Sequence, residues 1–182
     1  MDFALTDSEK KQLLAFSRAV IAAALNEGKP EPSLAATGSL AAKAGAFVSL
    51  HLGGRLRGCI GRMRSDEALV STVREMAKAA AFEDPRFEPL SAEELARAKI
   101  EISVLSPIQR AKSPDEVEVG RHGLYLIESG RSGVLLPQVP VEYGWDRETF
   151  LEQICYKAGL PPKAWKKPDA ELYLFEGIVF GE

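Results

Sequence analysis

Apolar residues recur along this chain at two periods, and the places where one period gives way to the other mark out its elements. Thr6 and Glu9 have capping-box spacing, and Leu13, Phe16, Val20 and Ala24 then recur at helical intervals until Gly28 and Pro30. Residues 7–26 are therefore expected to form an amphipathic helix. After a loop bearing Pro, Ser and Gly, residues 46–52 alternate as a strand does, Gly53-Gly54 supplies a tight turn, and residues 55–61 alternate again, which reads as a β-hairpin. Ser65 is placed to cap a helix carrying Leu69, Val73, Met76 and Ala80. That helix must stop before Asp84-Pro85, because a residue preceding proline avoids helical geometry, and a loop over 84–90 follows.

Ser91 and Glu94 form a second capping box for a short helix, and Ile100, Ile102 and Val104 then alternate against Glu101 and Ser103 up to Pro107. Residues 124–128 and 134–136 flank Ser129-Gly130-Arg131-Ser132-Gly133, which suits a hairpin with a longer loop, ended by Pro137 and Pro140. Asp146 caps a helix bearing Phe150, Leu151, Ile154, Cys155 and Ala158, with Gly159 in the terminating position. Residues 172–180 read as a final strand, bulged at Gly177. Helices and hairpins alternate without a regular βαβ rhythm. This predicts an α+β fold, an antiparallel or mixed sheet flanked by helices, rather than a doubly wound parallel sheet.

With 182 residues the chain can bury a core without a disulfide or metal staple, and its 46% hydrophobic and 27% charged residues are those of an ordinary globular protein. A net charge of −3 argues against a surface that coats nucleic acid or anionic lipid throughout. The start, from Met1-Asp2-Phe3, lacks the basic and apolar regions of a secretory signal, and no apolar run approaches a membrane span, so a cytoplasmic protein that avoids membranes is expected. Cys59 and Cys155, far apart and outside any CxxC spacing, suggest two reduced thiols and no metal site.

The candidate chemistry gathers on the return strand of the first hairpin, where Arg55, Arg57, Arg62 and Arg64 surround Cys59 and glycines stand at 58 and 61. Flanking glycines open a thiol to close approach by a backbone or ligand, and nearby guanidinium charge favours thiolate, one recipe for a nucleophile. The same arginines, Arg57 foremost, could instead clamp a phosphate or carboxylate, with Cys59 a small space-filler. A two-residue Gly53-Gly54 loop pairs His51 with Leu56, Leu50 with Arg57 and Val48 with Cys59. That register places Cys59 on the face opposite His51 and disfavours a dyad of the two, although a slip of one residue would exchange the faces. His122, between Arg121 and Gly123 at a strand entry, is the better candidate base, against a plain reading as a surface or capping histidine. Cys155 reads as a core thiol. Asp84-Pro85-Arg86-Phe87 offers a carboxylate and a guanidinium, or an internal ion pair, and Lys163, Trp165, Lys166 and Lys167 could stack on and bind nucleic acid, or form a solvated loop. Walker loops, dinucleotide fingerprints, HExxH helices and nucleophile elbows do not occur.

Leu56-Arg57-Gly58-Cys59-Ile60-Gly61 resembles the signature hexapeptide of the AMMECR domain family. The resemblance continues through Asp84-Pro85-Arg86-Phe87, residues 100–107, His122-Gly123-Leu124, Leu135-Leu136-Pro137-Gln138-Val139 and Gly144-Trp145-Asp146, in the family's order. Arg62 departs from it, standing where the pattern commonly has a small or hydroxyl residue. The resemblance implies one α+β domain over 4–180 with two lobes, the larger formed by both termini, and a cleft near the signature. It also implies membership of an AmmeMemoRadiSam system, with Memo-like and radical-SAM proteins as pathway partners and no cofactor held by this chain, which lacks the clustered cysteines of an iron-sulfur centre. The expectation is an enzyme or enzyme component binding a small anionic or nucleotide-like substrate, with Cys59 and His122 as catalytic residues and Arg57, Gly58, Gly61, Arg86 and Gln138 as its binding residues. The alternative is a non-catalytic module that engages a protein partner or RNA.

Overall fold

A computed structural model describes residues 3–26 and 29–182. Its elements run α1 (Asp7–Leu25), β1 (Gly45–Leu52), β2 (Arg55–Arg62), α2 (Leu69–Phe82), α3 (Ala92–Arg97), β3 (Lys99–Leu105), β4 (Gln109–Arg110), β5 (His122–Glu128), β6 (Arg131–Leu135), α4 (Gln138–Glu142), α5 (Arg147–Lys157) and β7 (Glu171–Gly181). The fold is α+β, with antiparallel strand pairing. No helix is long and apolar enough to cross a membrane among the described residues.

The chain divides into two compact units, Met1–Leu105 with Ile178–Glu182, and Ser106–Gly177. In the first, the strand order is β2-β1-β3, with the end of β7 beyond β3, where the Glu182 amide donates to the Ile100 carbonyl at 3.1 Å. Ala46, Val48 and Leu50 of β1 and Ile100, Ile102 and Val104 of β3 are sealed with Leu69, Val73 and Ala77 of α2 and Leu13, Val20 and Ile21 of α1. In the second unit the order is β4-β7-β5-β6, and Leu124, Leu126 and Leu174 pack with Phe150, Leu151 and Ile154 of α5.

Both capping boxes form as the spacing predicts. The Thr6 hydroxyl accepts from the Glu9 amide and Ser91's from the Glu94 amide, while each glutamate bonds back. Ala24, expected on the apolar stripe of α1, is exposed, and the expected stop at Gly28 lies outside the described residues. Ser65 does not cap α2. Its hydroxyl takes the Glu67 amide, and the helix starts at Leu69, whose amide donates to the Ala42 carbonyl at 2.8 Å. A bridge between Lys43 and Ala68 holds the preceding residues extended, so tertiary pairing delays the first turn.

The second hairpin turns at Ser129-Gly130 alone, both with positive φ of 48° and 74°, and β6 continues through Gly133. A side chain at Gly133 would stand 2.7 Å from the Ala158 backbone nitrogen, so that glycine serves a close helix approach rather than a loop. Pro140 falls within α4, an element the sequence pattern does not reveal. Its missing amide costs little in the first turn of so short a helix.

Candidate active site around Cys59

The hairpin turns at Gly53-Gly54 as expected, and Leu52 pairs with Arg55 and His51 with Leu56. A β-bulge follows, with Arg57 as the extra residue, so that Leu50 pairs with Gly58, Ser49 with Cys59 and Val48 with Ile60. This corrects the expected register: Cys59 lies opposite Ser49 rather than Val48. Ser49 in turn lies opposite Glu101. Cys59, Ser49 and Glu101 therefore form one row across the outer face of the sheet, turned away from the sealed face that carries Val48 and Leu50. His51 alternates onto the same outer face, in the next row, so the geometric argument that separated it from Cys59 does not hold. Its Nε2 is buried without a hydrogen-bond partner among the described residues.

Two glycines allow this placement, for different reasons. A Cβ on Gly58 would stand 2.1 Å from the Ala80 carbonyl oxygen, so α2 can cross the sealed face only over a glycine. A Cβ on Gly61 would stand 2.1 Å from the Phe47 ring, which lies across that position on the outer face. Gly58 and Gly61 thus serve a passing helix backbone and a packed ring.

Cys59 is partly exposed, and its sulfur accepts a hydrogen bond from the Ser49 hydroxyl at 3.2 Å. β2 is an edge strand, and the loop after α2 occupies that edge. Asp84 accepts from the Cys59 amide at 2.9 Å, and Arg86 donates through Nη2 to the Cys59 carbonyl at 3.3 Å. Arg86 also grips Asp84 through Nε and Nη2, at 2.9 and 2.7 Å, and its own amide reaches the same carboxylate at 3.1 Å. The Arg86 bonds, with the Cys59 and Arg86 amides, hold the Asp84 carboxyl far below the usual carboxylate range against the opposing effect of burial. The Asp84 side chain is 2% exposed and Arg86's 54%, so the carboxylate is an internal strut while the guanidinium reaches solvent. Nη1 of Arg86 makes no hydrogen bond among the described residues.

Arg57, expected as an anion clamp, makes a bidentate pair with Glu94 at 2.9 Å through Nε and Nη2 and lies 5.8 Å from the Phe87 ring centroid. Its bonds, followed by the Ser91 amide, lower the Glu94 carboxyl below its ordinary range. Arg62 pairs with Ala46 and bonds Glu75 of α2, on the face away from Cys59. The guanidinium that bears on Cys59 is thus that of Arg86, 27 residues downstream, and not those of the hairpin's own arginines as a group.

His122 and Gln138 belong to the second unit. His122 opens β5, and its Nδ1 accepts from the Glu118 amide at 3.1 Å. In a neutral ring that bond leaves the proton on Nε2. Gln138 is exposed at the start of α4. Cys155 is sealed in the core, donating to the Leu151 carbonyl at 3.3 Å, and burial pushes its thiol up. No cluster of three or more His, Cys, Asp or Glu able to hold a metal occurs among the described residues. Ser49 and Glu101 were not singled out from sequence; only knowledge of the bulge would have put them in line with Cys59.

A family model, AMMECR1, matches residues 14–180. A protein of Methanopyrus kandleri is 44% identical over 187 residues, covering 98% of this chain and 90% of the relative. One of Aeropyrum pernix is 41% identical over 187 residues, covering 98% and 80%. The crystal structure of an uncharacterized protein from Pyrococcus horikoshii superposes with a TM-score of 0.81 at 38% identity, over 98% of this chain and 93% of that one.

Proposed function

This chain belongs to the AMMECR1 family, and from that premise we propose that it acts as an enzyme or enzyme component, binding a small anionic or nucleotide-like substrate beside residues 56–61. One observation carries the reading. Asp84 and Arg86 hold the Cys59 peptide at its amide and its carbonyl, which leaves the thiol on the outer face with a serine hydroxyl on it and a partly exposed guanidinium beside it. A carboxylate or phosphate has hydrogen-bond donors to meet at Nη1 of Arg86, and a thiol fixed in this way is positioned to act as a nucleophile.

Arg57 contributes indirectly, because its pair with Glu94 and its contact with Phe87 set where the loop carrying Arg86 lies. Gly58 and Gly61 set the strand's position. His122 as proton carrier and Gln138 as a substrate contact are separate parts of the proposal, tested by their own variants. The same holds for Memo-like and radical-SAM proteins as pathway partners.

Alkylation of the native protein by iodoacetamide, followed by peptide mapping, tests the central claim. The expected result is modification of Cys59 alone, with Cys155 reacting only after denaturation. A native Cys59 that resists the reagent as Cys155 does would remove the nucleophile from the proposal. Protection of Cys59 by added phosphate, lost in Arg86→Gln, is the expected sign of the anion subsite.

The exposed hairpin tip, with Leu56 at 40% exposure beside exposed Arg55, supports a second reading, a non-catalytic module docking a protein partner or RNA. Complex formation weakened by Arg55→Ala and unchanged by Cys59→Ser is the outcome that reading requires. For RNA the affinity must also fall steeply with salt.

A further inference from the structure

A thiol attacks as its thiolate, so a nucleophilic Cys59 needs somewhere to send its proton. Asp84 is a poor acceptor, with four hydrogen bonds already on a carboxyl held far below its usual range, and Arg86 has no lone pair to offer. The strand facing Cys59 carries a base. β1 pairs with β3 in unbroken register from Gly45 to His51, so the bulge is confined to β2, and Ser49 and His51 leave β1 on the same outer face. Ser49 lies directly opposite Cys59, with its hydroxyl 3.2 Å from the sulfur, and His51 lies one row nearer the turn, opposite Leu56.

Three features single out His51. First, its Nε2 is buried and makes no hydrogen bond among the described residues, a costly state for a ring nitrogen unless a donor reaches it during function. Second, alternate residues of one strand stand about 7 Å apart, a span that an imidazole and a hydroxyl on the same face can close by side-chain rotation. Third, the charges on this face suit an imidazolium. Glu101 lies opposite Ser49, while Lys99, opposite His51, is exposed and its charge bears on the Glu182 carboxyl. From β2 the neighbours are Leu56 and Cys59, since Arg57 is paired with Glu94, and Arg86 at the Cys59 carbonyl favours the thiolate.

Building on the reading of Cys59 as a nucleophile, we propose that His51 is its proton acceptor, with Ser49 as the bridge between them. The S–H bond breaks as its proton passes to the Ser49 oxygen, and the Ser49 hydroxyl proton passes to Nε2 of His51. A thiolate, an intact serine and an imidazolium result, with no further reactant. The arrangement in the structure, with the Ser49 hydroxyl donating to the sulfur, is the one that stands after this transfer.

The test is the rate at which iodoacetamide alkylates Cys59 in the native full chain, followed by peptide mapping at about pH 6.5 and about pH 9. A base counts where a thiol is mostly protonated and loses its effect where hydroxide ionises the thiol unaided. His51→Gln and Ser49→Ala are each expected to slow the reaction about fivefold or more at the lower pH and by less than about twofold at the higher. Either variant reacting at the wild-type rate at the lower pH, or slowed equally at both, overturns the proposal and leaves Cys59 a nucleophile. A wild-type Cys59 that resists the reagent at both overturns this proposal together with the reading it rests on. The wild type alone decides the matter where a variant does not fold. Carbamidomethylation of Cys59 should lower the midpoint at which the His51 ring titrates in ¹H–¹⁵N NMR by about half a pH unit or more, because the imidazolium loses its thiolate partner. An unchanged midpoint overturns the proposal.

Discussion

Asp84 shows how a single buried side chain can organise the residues around it. It receives the Cys59 amide, the Arg86 amide and the Arg86 guanidinium, so its charge is held inside by four hydrogen bonds. Asp84→Asn should destabilise the chain by about 2 kcal/mol, measured by urea unfolding, because the replacement keeps the shape but loses charge-assisted bonds and leaves Arg86 without its partner. The sign of the pH effect follows from the direction of the shifts. The Asp84 and Glu94 carboxyls are both held below their unfolded values, so their stabilisation is complete above the ordinary carboxylate range and is lost as the pH falls toward the folded values. The unfolding midpoint of the wild type should hold from about pH 8 to 5 and drop below about pH 4, more steeply than that of Asp84→Asn. At Gly58 the contact is with backbone. Because the Ala80 carbonyl cannot move without shifting α2, Gly58→Ala should cost about 3 kcal/mol in the same assay. Gly54→Ala meets no neighbour and bears only its positive φ of 77°, at a cost of about 1 kcal/mol.

At the scale of elements, α3 and the hairpin are joined through one glutamate. Glu94 completes the Ser91 capping box and receives the Arg57 guanidinium, so a helix of six residues, too short to persist alone, is held at its N-terminus from two directions. Glu94→Gln should retain part of the cap and lose the ion pair, at a cost of about 1–2 kcal/mol, with amide exchange rising first in α3 and in the loop that carries Arg86. A rise confined to α3 would show that Arg57 does not couple the two. The bulge at Arg57 is the other element-scale device, since it rotates Cys59 to the outer face while Arg57 reaches α3.

At the scale of the molecule, the first unit is completed by the end of the chain. Ile178 and Phe180 pack against its core, and Glu182 accepts the Ile100 amide at 3.1 Å and the Arg18 guanidinium. Arg18 also donates to the Leu95 and Ala98 carbonyls at the end of α3, both at 2.7 Å. Arg18→Ala should therefore lower stability by about 2 kcal/mol in calorimetry, with loss of packing between α1, α3 and the terminus. A variant within about 0.5 kcal/mol of wild type would mean that the terminus is held by its strand contacts alone.

The elements could be read from the sequence because their causes are local. The two capping boxes, the Gly53-Gly54 turn, the Asp146 cap and the Gly159 stop each depend on residues within one turn of helix or hairpin. The Cys59 neighbourhood was legible only as a list of residue types, in which the likeness of residues 56–61 to a family signature marked the place. Its arrangement was decided in three dimensions. A bulge shifts the phase of an alternating pattern by one residue, and here the shift runs into Gly58 and Gly61, which have no side chain to mark their face. The late start of α2 depends on Ala42, and the guanidinium beside the thiol comes from a loop docked on the strand edge, whereas Arg57 is committed to Glu94. The sequence by itself determined which elements exist, through local hydrogen bonding and hydrophobic period. The tertiary structure alone decided which charges meet the thiol, because ion pairs form between whichever side chains packing brings together, however far apart they lie along the chain.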